Sequence, residues 1–512
     1  MIEYPKKVNK CYNGALIELY RGDIMYFIST RGQGGKLPAS KAIIQGIADD
    51  GGLFVPEYFP NIQGNLADFV DLEYEELAFE IIKRFFDDIE EAELKEAIEA
   101  AYKGRYEVVV NRGFLELYHG PTAAFKDAAL LFLPQIMKKA KKKCGIKEEI
   151  VILTATSGDT GKAALEGFSN VEGFKCVVYY PKNGVSAIQE KQMVTQVGNN
   201  VKVVGIKGNF DDAQRGVKEI FTNREIKDKL KKSGFLLSSA NSINIGRLIP
   251  QTVYYFYGYL QLVKEKKITL GEKINVAVPT GNFGNILAAY YAKKMGLPID
   301  KLICASNENN VLTDFFNTGI YDKRRELFLT ESPSMDILVS SNLERILFEA
   351  YGRNGEEVKK LMDQLSNEGH YNVTAQCREF LKDFYGECAG AEEVHDDIKR
   401  VYNEERYLMD THTSVAHAAI KKYKKRNNDH KQCLIVSTAS PYKFPRSICK
   451  SLEINIEKMD DFQVLQLLYK TTKEPIPKNL VDLAEKKVIH DTVCDNGQMT
   501  EVLFDFLRGA HK

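Results

Sequence analysis

Two periodicities divide the chain. Between residues 72 and 102, apolar and acidic residues interleave at helical spacing, as LEYEELAFEIIKRFF and then DIEEAELKEAIEAAY. This pattern predicts a helical pair within an N-terminal domain. Beyond residue 110 the pattern changes. Apolar, β-rich runs of strand length at 150–154, 176–180, 201–206, 274–279, 302–306 and 434–438 alternate with amphipathic stretches. Such alternation predicts α/β architecture, with parallel sheets covered by helices on both faces. It lapses between 340 and 405, where SSNLERILFEAYGRNGEEVKKLMDQL and a later run predict an inserted helical segment. Residues 14–30 read as strands and a short loop. The expected organisation is an N-terminal domain over 1–110, a first α/β lobe over 111–260, and a second over 261–512 that contains the insertion.

Length and composition narrow the picture. A chain of 512 residues is too long for one simple core, so two or three domains are expected. Lys+Arg and Asp+Glu are equal at 70 each, so nothing global draws the protein to nucleic acid or an anionic membrane. Any anionic ligand must be recognised locally. No apolar run approaches the roughly 18 residues of a membrane span. MIEYPKKVNKCYNGALIEL lacks the apolar core and small-residue cleavage site of a leader, so a cytoplasmic protein is expected. The nine cysteines are scattered without CxxC pairs, which fits reduced thiols better than disulfides or zinc. The histidines include no HExxH, and no protein-built metal site is expected.

In parallel sheets ligands sit beyond the carboxyl ends of the strands, so the loops there are where chemistry is sought. After 150–154 comes ATSGDTGKAALEGF, where Ser157, Asp159 and Thr160 open a helix whose N-terminus can receive an anion. After 274–279 comes TGNFGNILAAYYAKK, in which Gly281 and Gly284 permit close backbone approach. That loop resembles a phosphate cradle but lacks the Walker lysine and the full GxGxxG. After 434–438 comes ASPYKFP. Finally, LYHGPTAAFKDAALLFL sets Lys126 between an aromatic and a carboxylate where a polar turn becomes an apolar helix, with Thr122 as candidate N-cap. A lysine there is usually a solvated surface group. Desolvated, its amine becomes nucleophilic, as a Schiff-base lysine requires.

HGPTAAFKD, TSGDTG, NSINIGR, PTGNFGN, STASPYKF, and YFISTRG with GLFVPEYFP, resemble in their order the signature segments of threonine synthases. The similarity runs from residue 25 to about 445. The resemblance implies the tryptophan synthase β-chain-like fold of pyridoxal-phosphate enzymes, with two twisted α/β lobes facing one cleft. It further implies O-phospho-L-homoserine as the small-molecule substrate, with no nucleic-acid or membrane partner; monomer and homodimer stay open. By that resemblance Lys126 holds pyridoxal phosphate as a Schiff base and later acts as base. Gly281, Asn282, Phe283, Gly284 and Asn285 bind the cofactor phosphate, and Thr438 faces the pyridine nitrogen. Ser157, Asp159 and Thr160 meet the α-carboxylate end of the substrate, with Asp159 orienting the loop. Arg31, Lys41 or Arg247 holds the substrate phosphate, since a dianion in a closed cleft needs fixed cations. A phospho-lyase releasing 2-ketobutyrate, or a non-catalytic binding protein on the same fold, would share most of these motifs.

Overall fold

The computed structural model describes residues 24–509, so Cys11, the leader-like comparison and the strand expected from residue 14 lie outside or begin outside them. In chain order, β1 (Tyr26–Ser29), β2 (Leu37–Pro38) and β3 (Phe54–Pro56) form a small antiparallel sheet. The expected helical pair follows as Tyr74–Ile82 and Glu91–Tyr102. Its buried residues recur three and four apart (Leu77, Ala78, Ile81, Ile82, then Leu94, Ala97, Ile98, Ala101), which is why this stretch folds as two helices laid on the core.

Next come the hairpin β4 (Glu107–Asn111) and β5 (Phe114–His119), then β6 (Glu149–Ala155), β7 (Phe174–Pro181), β8 (Val201–Ile206) and β9 (Phe235–Ser238). They are followed by β10 (Ile274–Pro279), β11 (Ile299–Ser306) and the short pair β12 (Ile320–Asp322) and β13 (His370–Asn372). The last are β14 (Phe384–Cys388), β15 (Cys433–Ser437) and β16 (Val493–Cys494). Two large sheets result, a six-stranded one in the order β14-β11-β10-β15-β5-β4 and a five-stranded one in the order β16-β8-β7-β6-β9. All their pairings are parallel except β4 with β5. Ile150, Val151, Ile152 and Leu153 are all at most 1% exposed, so β6 is covered on both faces, and its sequence is continuously apolar for that reason.

Pairing does not follow chain order. β5 lies beside β15, with Phe114 opposite Ile435 and Glu116 opposite Ser437, so the segment expected to open the first lobe sits in the sheet of the second. Conversely β16, near the C-terminal end of the described residues, pairs with β8 in the other sheet. A linear boundary cannot register such pairings because parallel strands are joined across long crossovers. The 340–405 segment is helical over Leu343–Ala350, Gly355–Asn367 and Ala391–Glu405, yet it also supplies β14, which extends the six-stranded sheet on β11. Among the described residues no helix is long and apolar enough to cross a membrane, and the eight described cysteines are unbridged.

Candidate active site

Three adjacent strands of the six-stranded sheet, β10, β15 and β5, run parallel and release their chains at one edge. The loops they feed carry Gly281–Asn285, Thr438 and Lys126. After β5 the chain turns sharply. A Cβ on Gly120 would lie 2.4 Å from Oδ2 of Asp127, and Ala123 is left-handed at φ 56°. The loop is then zippered to the one after β15: the Phe125 N–H donates to the Thr438 carbonyl at 2.8 Å and the Ser440 N–H to the Ala123 carbonyl at 3.1 Å. Thr122 does not cap the helix. Its N–H and hydroxyl both donate to Asp127, at 2.9 and 2.7 Å, and the N-cap position of the short helix Asp127–Leu130 is Lys126 itself.

The Lys126 side chain is 13% exposed, and its Nζ lies 4.0 Å from Oδ2 of Asp159. Burial lowers its pKa to about 8; Asp159 opposes the shift, while Arg247 and Lys443 reinforce it. Asp159 comes from the other sheet, at the start of the helix Asp159–Phe168 that follows β6. Gly158 before it has φ 139°, and a Cβ there would strike Gln189 Nε2 at 2.4 Å. The Asp159 carboxylate is buried, but Lys443 at 2.6 Å, Lys126, and a hydrogen bond from Gln189 at 2.9 Å hold it well below the usual carboxylate range. Ser157 and Thr160, half-buried, flank it.

The glycine loop carries no charge of its own. Gly281 packs so closely that a Cβ would lie 2.5 Å from the Ser334 carbonyl oxygen, and Phe283 is left-handed at φ 63°. The helix Gly284–Lys294 that follows has no side-chain cap, so its first N–H groups are left for a ligand. The loop is braced from outside. Ser340 donates to the Gly281 carbonyl at 2.7 Å, and Asn342 to the Asn282 carbonyl at 2.8 Å. The Ser334 N–H donates at 3.2 Å to Nε2 of buried His412, whose Nδ1 lies 2.7 Å from Asp410. Tyr254 and Tyr255 donate to Oδ1 of Asn285 at 2.6 and 2.5 Å, leaving its buried Nδ2 without a protein partner.

The three candidate cations separate cleanly. Arg31 makes a two-pronged pair with Glu344, both contacts at 3.0 Å. Lys41 is exposed on the helix Ala39–Gln45. Arg247 is 4% exposed, has no carboxylate partner among the described residues, donates from Nη1 to the Ala240 carbonyl at 2.6 Å, and keeps a buried Nε with no acceptor. Burial lowers its pKa to about 10, still high enough to leave it charged at neutral pH. It adjoins the network of the glycine loop, because Gln251 donates to its carbonyl at 2.7 Å and has its Oε1 3.3 Å from the Tyr254 hydroxyl.

Sequence reasoning missed Lys443, Gln189 and the Ser340–Asn342 brace. Lys443 did carry a signal: it is the sole charged residue in STASPYKFP. A separate groove of about 1020 Å³ touches Gly120, Pro121 and Ser440–Tyr442, and is not lined by Lys126, Asp159, Arg247, Lys443 or the glycine loop.

Residues 26–102 match the family "Threonine synthase N terminus", and residues 115–439 match "Pyridoxal-phosphate dependent enzyme". The threonine synthase of Pseudomonas aeruginosa is 39% identical over 438 residues, a match covering 83% of this chain and 90% of that protein. The chain belongs to the threonine synthase family. Human threonine synthase-like 1 is 41% identical over 439 residues, covering 81% of this chain, which spans only 58% of that longer relative. The crystal structure of pyridoxal-phosphate-bound threonine synthase from Brucella melitensis superposes with a TM-score of 0.83 at 32% identity, covering 95% of this chain and 99% of that one. The fold is therefore the tryptophan synthase β-like fold, and pyridoxal phosphate is the cofactor of the family this chain joins.

The residues present fit that group. A buried lysine of lowered pKa suits its aldehyde, and an uncapped helix start suits its phosphate. The buried Asn285 Nδ2, which has no protein partner among the described residues, is free to receive it.

Proposed function

We propose that this protein converts O-phospho-L-homoserine and water into L-threonine and phosphate, the last step of threonine biosynthesis. The observation that carries the reading is the proximity of one buried lysine of lowered pKa to a buried arginine that has no carboxylate partner among the described residues. An amino-acid substrate bearing a phosphate supplies what both need.

Bound pyridoxal phosphate would draw electrons from the substrate's amino-bearing carbon and so acidify its neighbouring C–H bonds. Lys126 would carry the cofactor covalently, and Gly281, Asn282, Phe283, Gly284 and Asn285 would hold its phosphate through backbone N–H groups and the Asn285 amide. Thr438 would face the ring nitrogen. A hydroxyl cannot hold that nitrogen protonated as a carboxylate would, which suits elimination and replacement.

Lys126 would serve as the general base for the substrate's α-proton; a pKa of about 8 leaves its amine able to take and return protons near neutrality. Arg247 would bind the substrate phosphate and stabilise it as the C–O bond breaks. Arg31 and Lys41 have no part in this, one engaged with Glu344 and the other in solvent. Ser157 and Thr160, with the helix start beside them, would receive the α-carboxylate, while Asp159 keeps the loop and the Lys126 amine in register. A Cβ proton must also leave as the phosphate departs from Cγ. One proton is then added at Cγ, water's oxygen at Cβ and a proton back at Cα, and water's remaining proton goes to the solvent or the released phosphate, so atoms balance.

Incubating the purified protein with pyridoxal phosphate and phosphohomoserine tests this. Threonine and phosphate in equal amounts are expected, with Lys126→Ala at least about 10³-fold slower. Release of 2-ketobutyrate instead of threonine would make it a phospho-lyase, and wild-type rates from Lys126→Ala would overturn the reading altogether.

A further inference from the structure

One charged side chain near Lys126 has no role in that scheme. Lys443 lies in the turn Pro441–Lys443 just after β15 and is 0% exposed. Its Nζ donates to the Thr122 carbonyl at 3.0 Å and pairs with Oδ1 of Asp159 at 2.6 Å. The same Oδ1 accepts from Nε2 of Gln189 at 2.9 Å. The other oxygen, Oδ2, is the one 4.0 Å from Nζ of Lys126. The carboxylate is thus asymmetric: one oxygen is saturated and the other is open to the amine.

Burying a charge is costly unless it is paired, and here two lysines, Lys126 and Lys443, face the Asp159 carboxylate. Distance decides the allocation. Lys443 holds Asp159 in direct contact, and Lys126 is left at arm's length. Lys443 also joins the two sheets, because Thr122 belongs to the loop after β5 and Asp159 to the loop after β6. The remaining charged neighbour, Asp127, turns both oxygens to Thr122 and so offers nothing to Lys126.

We propose that Lys443 is a positioning residue: by holding Oδ1 of Asp159 it aims Oδ2 at Lys126, denies Lys126 a full ion pair, and so weakens the hold of Lys126 on its proton. The proposal rests on the reading that Lys126 is the working amine. Removing the Lys443 charge frees Asp159 to pair with Lys126 and removes a repelling cation, and both changes make Lys126 harder to deprotonate.

The test measures the pH midpoint of Lys126 acetylation by competitive labelling and peptide mass spectrometry, in the full-length protein without cofactor. The pH profile of kcat/KM of the loaded enzyme runs alongside. Wild type is expected near 8. Lys443→Met should move the midpoint upward by about one unit or more, with kcat falling more than KM rises. Lys443→Arg should restore the wild-type midpoint. A folded Lys443→Met with an unmoved midpoint overturns the proposal, since a purely structural role would lower only the melting temperature. If Lys443→Met does not fold, Lys443→Gln, which keeps a donor for the Thr122 carbonyl, carries the same prediction, and a shifted midpoint in Lys443→Arg counts against it. The labelling needs neither cofactor nor substrate. An active Lys126→Ala would therefore sink the reaction while leaving this midpoint to be judged separately.

Discussion

The two sides of the site solve the problem of binding anions differently. On one side the glycine loop 281–285 has no charge: it offers backbone N–H groups, an amide held by Tyr254 and Tyr255, and carbonyls tied down by Ser340 and Asn342. On the other side Lys126, Asp159, Lys443 and Arg247 form a cluster of buried charges drawn from both sheets. Neutral dipoles fixed in advance suit a group that stays bound through every turnover. Charges that can exchange protons, or lose a partner and gain another, suit the steps that change. On the proposed reaction, the cofactor phosphate would be held by the neutral loop and the substrate phosphate by the charged cluster.

Substitutions can break that contrast. Arg247→Gln removes the unpaired cation and should raise KM for phosphohomoserine by about 100-fold, with cofactor affinity unchanged. Initial-rate kinetics beside a cofactor titration would reveal it, and a loss of cofactor binding instead would blur the two sides. Gly281→Ala should do the reverse. Its methyl group would press on the Ser334 carbonyl, so pyridoxal phosphate should bind about tenfold more weakly, read by fluorescence titration.

Arg31→Gln should leave KM alone and cost about 1–3 kcal/mol in denaturant unfolding, because it leaves the buried Glu344 without its cation and with only the Thr30 hydroxyl as donor among the described residues. A KM effect as large as that of Arg247→Gln would reinstate Arg31 as a phosphate ligand. The smallest effect concerns Asp127, whose pKa burial raises from 3.8 to about 7 against the hydrogen bonds from Thr122. A raised acid favours the folded state while it is protonated, so its contribution is full below about 4 and is lost as pH rises through about 7. Thermal unfolding from pH 4 to 8 should show that decline, and Asp127→Asn should flatten it.

The contrast was only half legible in the sequence. Glycines at 281 and 284 after an apolar strand run, and the hydroxyl-rich TSGDTG, announce themselves because each is a compact pattern within a few consecutive residues. The covered strands β6, β7, β8, β10 and β15 also declared themselves as predominantly apolar runs of strand length. What stayed hidden depends on distant partners. Arg31, Lys41 and Arg247 looked equivalent because Glu344, which occupies Arg31, lies 313 residues away in the chain. Lys443 passed unnoticed because Asp159, which makes its burial tolerable, comes from the other sheet. The place of β5 beside β15 was equally invisible, and it is this pairing that brings Thr438 to the lysine loop.

The central claim is that Lys126 is the residue that carries the cofactor. Reducing the pyridoxal-phosphate-loaded protein with borohydride and mapping its peptides by mass spectrometry tests this directly. A phosphopyridoxyl group on Lys126, in the peptide containing Phe125 and Asp127, is the predicted result. The same group on Lys443 or any other lysine, with Lys126 unmodified, would contradict the account.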